Sequence, residues 1–257
     1  MKYLRNFWHY RQLLLELVKK GIKLKYRRSY LGIIWSLLEP VLTTIILTIV
    51  FGTLFGHDEP EFPMYILSGR LLYSCFSQGT KAALKSIRSN AGMIKKVYVP
   101  KYLYPLSDVL FNFIIFLLSL VVLVLLGLVV GVYPRPSWLL MIFPLILLFF
   151  MTYGVGMILA TVAVFFRDME YLWTVILMII MYTCAIFYYP TRLLKSGYAW
   201  VLTFNPLYGI IVNARHLIFS EAFEWDRMIY AIAFTAVSLV VGHLIFFRNQ
   251  DRFILHI

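Results

Sequence analysis

Residues 33–55 read IIWSLLEPVLTTIILTIVFGTLF. One charged side chain, Glu39, interrupts this run, and an apolar helix of about 20 residues, rising about 1.5 Å per residue, crosses the hydrocarbon core of a bilayer. The run is too long for the apolar centre of a signal peptide and lacks a small-residue cleavage site, so it is expected to stay as a membrane anchor. Five further apolar stretches follow, at 64–84, 107–132, 138–166, 171–189 and 228–247. With no water in the bilayer to satisfy backbone groups, stretches of this length must be helical, whereas barrel strands would alternate over about ten residues. The expected fold class is an all-α membrane protein with six transmembrane helices. It forms one domain over 1–257, divided into a cytoplasmic interface segment 1–32, the spans within 33–247 and a cytoplasmic tail 248–257.

Composition points the same way. Hydrophobic residues make up 61% and charged residues 14% of the 257, against roughly 45–50% and about 25% in soluble domains, and mean hydropathy is +0.81. Six spans use about half the chain, so a soluble catalytic domain has no room and any energy source must sit on another polypeptide. In a membrane protein the net charge of +12 has to be read by placement. A cytoplasmic N-terminus puts 18 of the 24 lysines and arginines on inner segments, while Arg135, Arg192, Lys195, Arg215 and Arg227 fall outside and Arg70 falls within a span. That asymmetry places both termini in the cytoplasm and accounts for the basic balance without nucleic acid. Cys75 and Cys184 lie in apolar stretches and read as buried thiols rather than a disulfide framework.

Three segments outside the spans carry information. Between Leu13 and Leu24 the apolar Leu13, Leu14, Leu17, Val18, Gly21 and Leu24 share one side of a helix, with Gln12, Glu16, Lys19, Lys20 and Lys23 on the other, the pattern of a helix lying at the inner membrane surface. The inner loop KSIRSNAGMIKKVYVPKYLYP (85–105) has five basic residues, no acidic one, and interleaved Ile94, Val97, Tyr98, Val99 and Tyr102. It is longer than a connection requires, so it is expected to dock on something. The outer segment 190–226 is too apolar for a solvated loop and is broken by Gly197, Pro206 and Gly209. It reads as short re-entrant helices between spans five and six, because broken backbone at membrane depth must be shielded by protein.

Catalytic signatures are missing. There is no phosphate-binding loop, no H-E-x-x-H and no C-x-x-C, and the five histidines are scattered without ligand spacing. The sharper signals are ionisable groups at membrane depth, each costing about 2.5–3.5 kcal/mol on insertion scales: Glu39 before Pro40, Arg70 about two turns into the second span, and Asp108 opening the third. Each has an alternative reading, headgroup water or nearby lysines for the carboxylates and snorkelling for Arg70.

Four motifs in order, YRRSYLGIIWSLLEP (26–40), MIKKVYVPKYLYPLSDV (93–109), VFFRDMEYL (164–172) and FNPLYGII (204–211), resemble the permease subunit of an ABC-2 type exporter. The likeness is to the branch that moves O-antigen, teichoic acid or capsule-like polysaccharide, and it covers essentially the whole chain. It implies a homodimer of permeases in the bacterial inner (plasma) membrane, two separate ABC ATPase subunits that hold ATP and Mg, and a polymer carried on an undecaprenyl-diphosphate type lipid. This chain itself binds no cofactor or metal and is not an enzyme. The resemblance further implies that the N-terminal helix is an interface or gate helix, that Leu31 and Gly32 lead into the first span, that the 85–105 loop contains a coupling helix, and that 190–226 forms the re-entrant pair. One departure is Arg70, since the family more often has an apolar residue after the glycine matching Gly69.

Residues follow from these readings. Arg27 and Arg28, with Leu31 and Gly32, are expected at the substrate headgroup, because arginine holds phosphate oxygens with paired hydrogen bonds and glycine lets a backbone approach closely. Arg70, Tyr182, Phe187 and Tyr188 are the pathway candidates, since sugars present C–H faces that stack on aromatic rings. Ile94, Val97, Tyr98 and Tyr102 are the ATPase-coupling residues. Two other functions compete: a drug or small-lipid efflux permease of the same superfamily, and a membrane-embedded acyl- or glycosyl-transferase. The transferase needs a convergent acid or base in its cavity, which the scattered carboxylates do not offer.

Overall fold

The structure, a computed structural model, describes residues 10–27, 30–56, 59–97, 99–195 and 197–256, and within them every regular element is helical. The amphipathic helix expected at the inner surface is α1 (Arg11–Lys25). Its buried Leu14 and Val18 face the bundle, and Gly21 lies against the Phe111 ring. A 3-10 turn (Gly32–Ile34) leads into α2 (Trp35–Phe55), followed by α3 (Phe62–Ser89), the short α4 (Ala91–Ile94) and α5 (Leu103–Val130). After a 3-10 turn (Pro136–Met141) come α6 (Ile142–Phe165), α7 (Met169–Thr183), α8 (Thr191–Leu194), α9 (Trp200–Thr203), α10 (Pro206–Phe219) and α11 (Trp225–Asn249). A 3-10 turn (Gln250–Arg252) and α12 (Phe253–His256) end the described chain.

Four segments among the described residues are long and apolar enough to cross a membrane: Gly32–Phe55, Leu103–Val130, Pro136–Phe165 and Trp225–His256. The other two expected spans differ for separate reasons. Helix α3 has the length, 28 residues, but Arg70, Lys81, Lys85 and Arg88 lower its hydropathy. It tolerates them because it is the central helix, with Leu67, Leu71, Leu72 and Phe76 buried in one cluster with Leu148, Met151, Ile210 and Ile211. Helix α7 has the apolarity but stops after 15 residues, about 22 Å, where an unbroken helix through residue 189 was expected. Residues 184–189 leave helical geometry, with Ala185 in the left-handed region at φ 48°.

Helix α2 stands apart from the core. It turns the small Ser36, Thr44 and Gly52 inward at eight-residue spacing and leaves Val41, Ile45, Ile46 and Ile49 exposed. Small residues allow close helix contact in lipid, and here Ser119 on α5 donates to the Ser36 carbonyl at 3.1 Å. At the end of the bundle that carries the 85–105 loop, a second cluster gathers Ile87, Ile94, Tyr104, Val164, Phe246 and Phe253. The segment expected as a tail therefore folds back, and Lys101 donates to the Gln250 carbonyl at 2.6 Å. Both cysteines are free and buried.

Candidate functional site

A polar cleft opens where α1, α2, α3 and α5 meet. Its lining combines Lys25 and Tyr26 from the end of α1, Ser36 and Glu39 from α2, Arg70, Ser74 and Gln78 from α3, and Asn112 and Ser119 from α5. The i, i+4, i+8 spacing of Arg70, Ser74 and Gln78 puts all three on one face of α3. The cavity volume is about 90 Å³, several times the 10–15 Å³ or so that one water needs, so a polar space of this size at membrane depth is wet. The charge of Glu39 acts on both Arg70 and Lys25. Burial pushes the Lys25 ammonium below the ordinary lysine range, with Glu39 pulling the other way, and that ammonium lies 5.7 Å from the Phe111 ring centroid. The Tyr26 hydroxyl is buried without a hydrogen-bond partner among the described residues.

Arg27 is exposed and lines a basic concavity with Lys19, Lys20 and Lys23. Leu31 is exposed, and Gly32 has φ +48° with open space where a side chain would stand, a conformation that glycine adopts without the usual penalty. Arg28 lies outside the described residues. Of the pathway candidates, Arg70 is thus brought together with Glu39 and Lys25, which the sequence reading left separate. Tyr182 is exposed on α7. Phe187 is buried, stacked on Phe51 with centroids 4.8 Å apart, and Tyr188 is half-buried and donates to the Tyr182 carbonyl at 2.8 Å.

The early end of α7 explains a residue the sequence reading counted only as an outer cation. Arg215 on α10 is 3% exposed, and its guanidinium reaches the backbone that α7 leaves unpaired. Nη1 donates to the Ala185 carbonyl at 2.9 Å, and Nη2 donates to the Tyr65 and Ile186 carbonyls at 3.0 and 3.4 Å. The guanidinium also lies over the Tyr65 ring at 3.5 Å, and the Tyr65 hydroxyl is placed to donate to the Ala185 and Tyr188 carbonyls, each at 3.1 Å. Asn205 adds a bond to Thr183 Oγ1 at 2.8 Å. A helix terminus leaves carbonyls without partners, and at membrane depth no water replaces them, so this clamp is what permits the break. Gly69 makes room for it: a Cβ there would lie 3.1 Å from Arg215 Cζ and nearer still to Nη2. The sequence signal was present, an arginine inside the apolar run 207–219 beside the Pro206 break.

In the 85–105 loop, Ile94 is buried in the core while Val97 is exposed. Tyr102 is half-buried, its ring 5.9 Å from that of Phe247, and Tyr98 lies outside the described residues. Glu170 at the start of α7 pairs with Lys85 at 3.1 Å and Arg88 at 3.2 Å, so the end of α3, which leads into this loop, is tied to the broken helix.

The comparisons with known proteins match this architecture along its length. The profile of the ABC-2 type transporter family matches residues 12–219. An O-antigen export system permease protein RfbA of Klebsiella pneumoniae is 31% identical over 256 residues, covering 98% of this chain and 97% of the relative. One of the same name from Myxococcus xanthus is 26% identical over 258 residues, covering 98% of both. The polysialic acid transport protein KpsM of Escherichia coli is 24% identical over 237 residues, 91% of each chain. With the family profile running from the surface helix α1 to the end of α10, this multi-pass membrane protein belongs to the ABC-2 type transporter family.

Proposed function

We propose that this chain is the permease subunit of an ATP-driven exporter that moves a lipid-linked polysaccharide, on an undecaprenyl-diphosphate type carrier, from the cytoplasmic side across the bacterial inner membrane. The observation that carries the reading is the polar cleft, because it brings Lys25 from the end of α1 together with Glu39 and with Arg70 on α3. Relatives named for O-antigen and polysialic acid transport, aligned over more than nine-tenths of the chain, supply the substrate class. In this reading the permease is a homodimer with both termini cytoplasmic. Helices α3 and α7 count as the second and fifth of six spans, α8 to α10 are re-entrant from the outer side, and two separate ATPase subunits holding ATP and Mg dock on the 85–105 loop.

The chemistry follows from where each group stands. A diphosphate headgroup cannot leave headgroup depth while its chain stays in hydrocarbon, so it is met first by Arg27, Arg28 and Lys23, with Leu31 and Gly32 shaping the turn. Lys25 and Arg70 then continue the positive lining inward, and Glu39 keeps that lining from holding an anion too tightly. Two substitutions test this with the permease and its ATPase reconstituted in liposomes. Replacing Arg27 and Arg28 by lysine keeps charge and topology but removes paired hydrogen bonding. Transport and substrate-stimulated ATPase activity are expected to fall about tenfold, a loss of roughly 1.4 kcal/mol of binding; unchanged rates would leave these residues only a topological role.

Arg70→Leu is expected to lower export several-fold without raising the melting temperature. A lipid-facing arginine would behave oppositely, since its removal from the apolar region would stabilise the span by about 2–3 kcal/mol. A stabilised and fully active Arg70→Leu variant would therefore remove Arg70 from the pathway.

A further inference from the structure

On the outer side, between the first turns of α3, residues 189–191 and the second half of α10, lies a cavity of about 290 Å³, near the lower end of the range for small-molecule sites, about 300 Å³. Its wall carries three aromatic rings, Tyr65, Tyr189 and Phe219, of which Tyr65 and Tyr189 lie 4.6 Å apart at 54°. Arg215 also lines it. The terminal nitrogens of Arg215 are committed to backbone carbonyls, but its Nε is buried and has no partner among the described residues. Glu61, Glu221 and Thr191 add acceptors and a hydroxyl to the same lining.

The charges decide which ligand fits. His216 Nε2 lies 3.1 Å from Glu221 and its Nδ1 lies 2.6 Å from the Ala222 carbonyl, so both ring nitrogens are already engaged. Glu59, Glu61 and Glu221 all act on the Tyr189 hydroxyl, with Arg215 the opposing charge. An acidic sugar or a phosphate entering here would meet the Glu61 and Glu221 carboxylates, while Arg215, the arginine among the described lining residues, has its terminal nitrogens already committed to backbone carbonyls. A neutral pyranose meets no such cost: its C–H faces pack on rings, its hydroxyls donate to carboxylates in strong, charge-assisted bonds, and Arg215 Nε–H finds an acceptor.

We propose that this cavity is an outward-side saccharide subsite selective for a neutral pyranose unit over an acidic one. The inference rests on the exporter reading above and narrows its substrate class. The full-length protein in lipid nanodiscs would be probed by saturation-transfer NMR with the methyl glycosides of glucose, galactose and mannose, and with methyl glucuronide as the acidic counterpart. Transfer to ring C–H protons of at least one neutral glycoside is expected at five or more times that to the glucuronide. Tyr189→Ala should abolish it, and Thr191→Val, which leaves the aromatic wall intact, should weaken it at least twofold. The double variant Glu61→Gln, Glu221→Gln should bring the glucuronide signal up towards the neutral one.

No transfer to any neutral glycoside, equal transfer to the glucuronide, or a signal that survives both Tyr189→Ala and Thr191→Val overturns the subsite. Export of a lipid-linked glycan by the reconstituted complex, measured alongside, separates the two readings. Export without glycoside binding removes the subsite and leaves the exporter, whereas binding without export of any lipid-linked glycan removes the exporter.

Discussion

Arg215→Met will melt well below the parent protein. Methionine fills the volume of the stem but donates nothing, so the Ala185, Ile186 and Tyr65 carbonyls lose the bonds they receive at 2.9, 3.4 and 3.0 Å. A buried acceptor left unpaired costs about 1–3 kcal/mol; the Ala185 and Tyr65 carbonyls keep the Tyr65 and Ser68 hydroxyls as donors, so the orphaned Ile186 carbonyl sets the expected destabilisation at about 1–3 kcal/mol. The opposing effect is relief from burying a charge, which for some buried ion pairs makes an apolar replacement neutral. It does not win here, because the acceptors are backbone carbonyls that remain after the substitution. Lysine should recover part of the loss, since its compact ammonium cannot hold three carbonyls in a fork. Thermal midpoints from detergent-solubilised protein followed by size exclusion check this. Equal midpoints for parent and methionine variant would mean that α7 ends early without need of the clamp.

The same clamp gives Gly69 a defined role. Gly69→Ala introduces a methyl group against the Arg215 guanidinium, which cannot retreat without leaving its carbonyls. The variant is expected to lose about 1–3 kcal/mol by overpacking, and to lose much less in an Arg215→Met background, where the flexible side chain yields. That non-additivity, read from the same melting curves, distinguishes a specific Gly69–Arg215 contact from a general intolerance on α3.

These residues also mark where sequence reading succeeded and where it stopped. Hydrophobic run length located α2, α5, α6 and α11 because bilayer thickness acts on every such helix alike. The helix α1 was legible for a related reason, since one of its faces packs apolar side chains on the bundle and the other carries charge. Helix α3 was found as a run but not as the centre of the bundle, because a central helix is recognised by what surrounds it. The early end of α7 was hidden: nothing in TVILMIIMYTCAIFYY (174–189) signals a stop, and the break depends on Arg215, Tyr65 and Asn205, which reach it from distant parts of the chain. The cleft was half legible. Glu39 and Arg70 stood out by the cost of charge at depth, yet only packing shows that α1, α2 and α3 bring them to one space with Lys25.

The strongest functional effect is expected at the 85–105 loop, and the structure divides its residues into two kinds. Val97 is 56% exposed whereas Ile94 is 7% exposed, packed in the cluster that also holds Phe253 and Tyr104. An ATPase docking on this loop can touch Val97 but not Ile94. Val97→Asp, alone or with Tyr98→Asp, should therefore abolish co-purification of the ATPase while leaving the permease melting curve unchanged, because a charge on an apolar contact must be desolvated by the partner and finds no counter-ion there. Ile94→Ala should behave differently. It leaves a cavity in the core, costs about 2–4 kcal/mol of stability, and weakens co-purification only as far as the loop loosens. Phe253→Ala should follow the Ile94 pattern, since the returning C-terminal segment holds the loop from beneath through Phe253 and the Lys101–Gln250 bond. Undiminished ATPase capture by Val97→Asp, with Tyr98→Asp present, would place the docking surface elsewhere. Capture lost only together with thermal stability would mean that the loop shapes the fold and does not meet the partner.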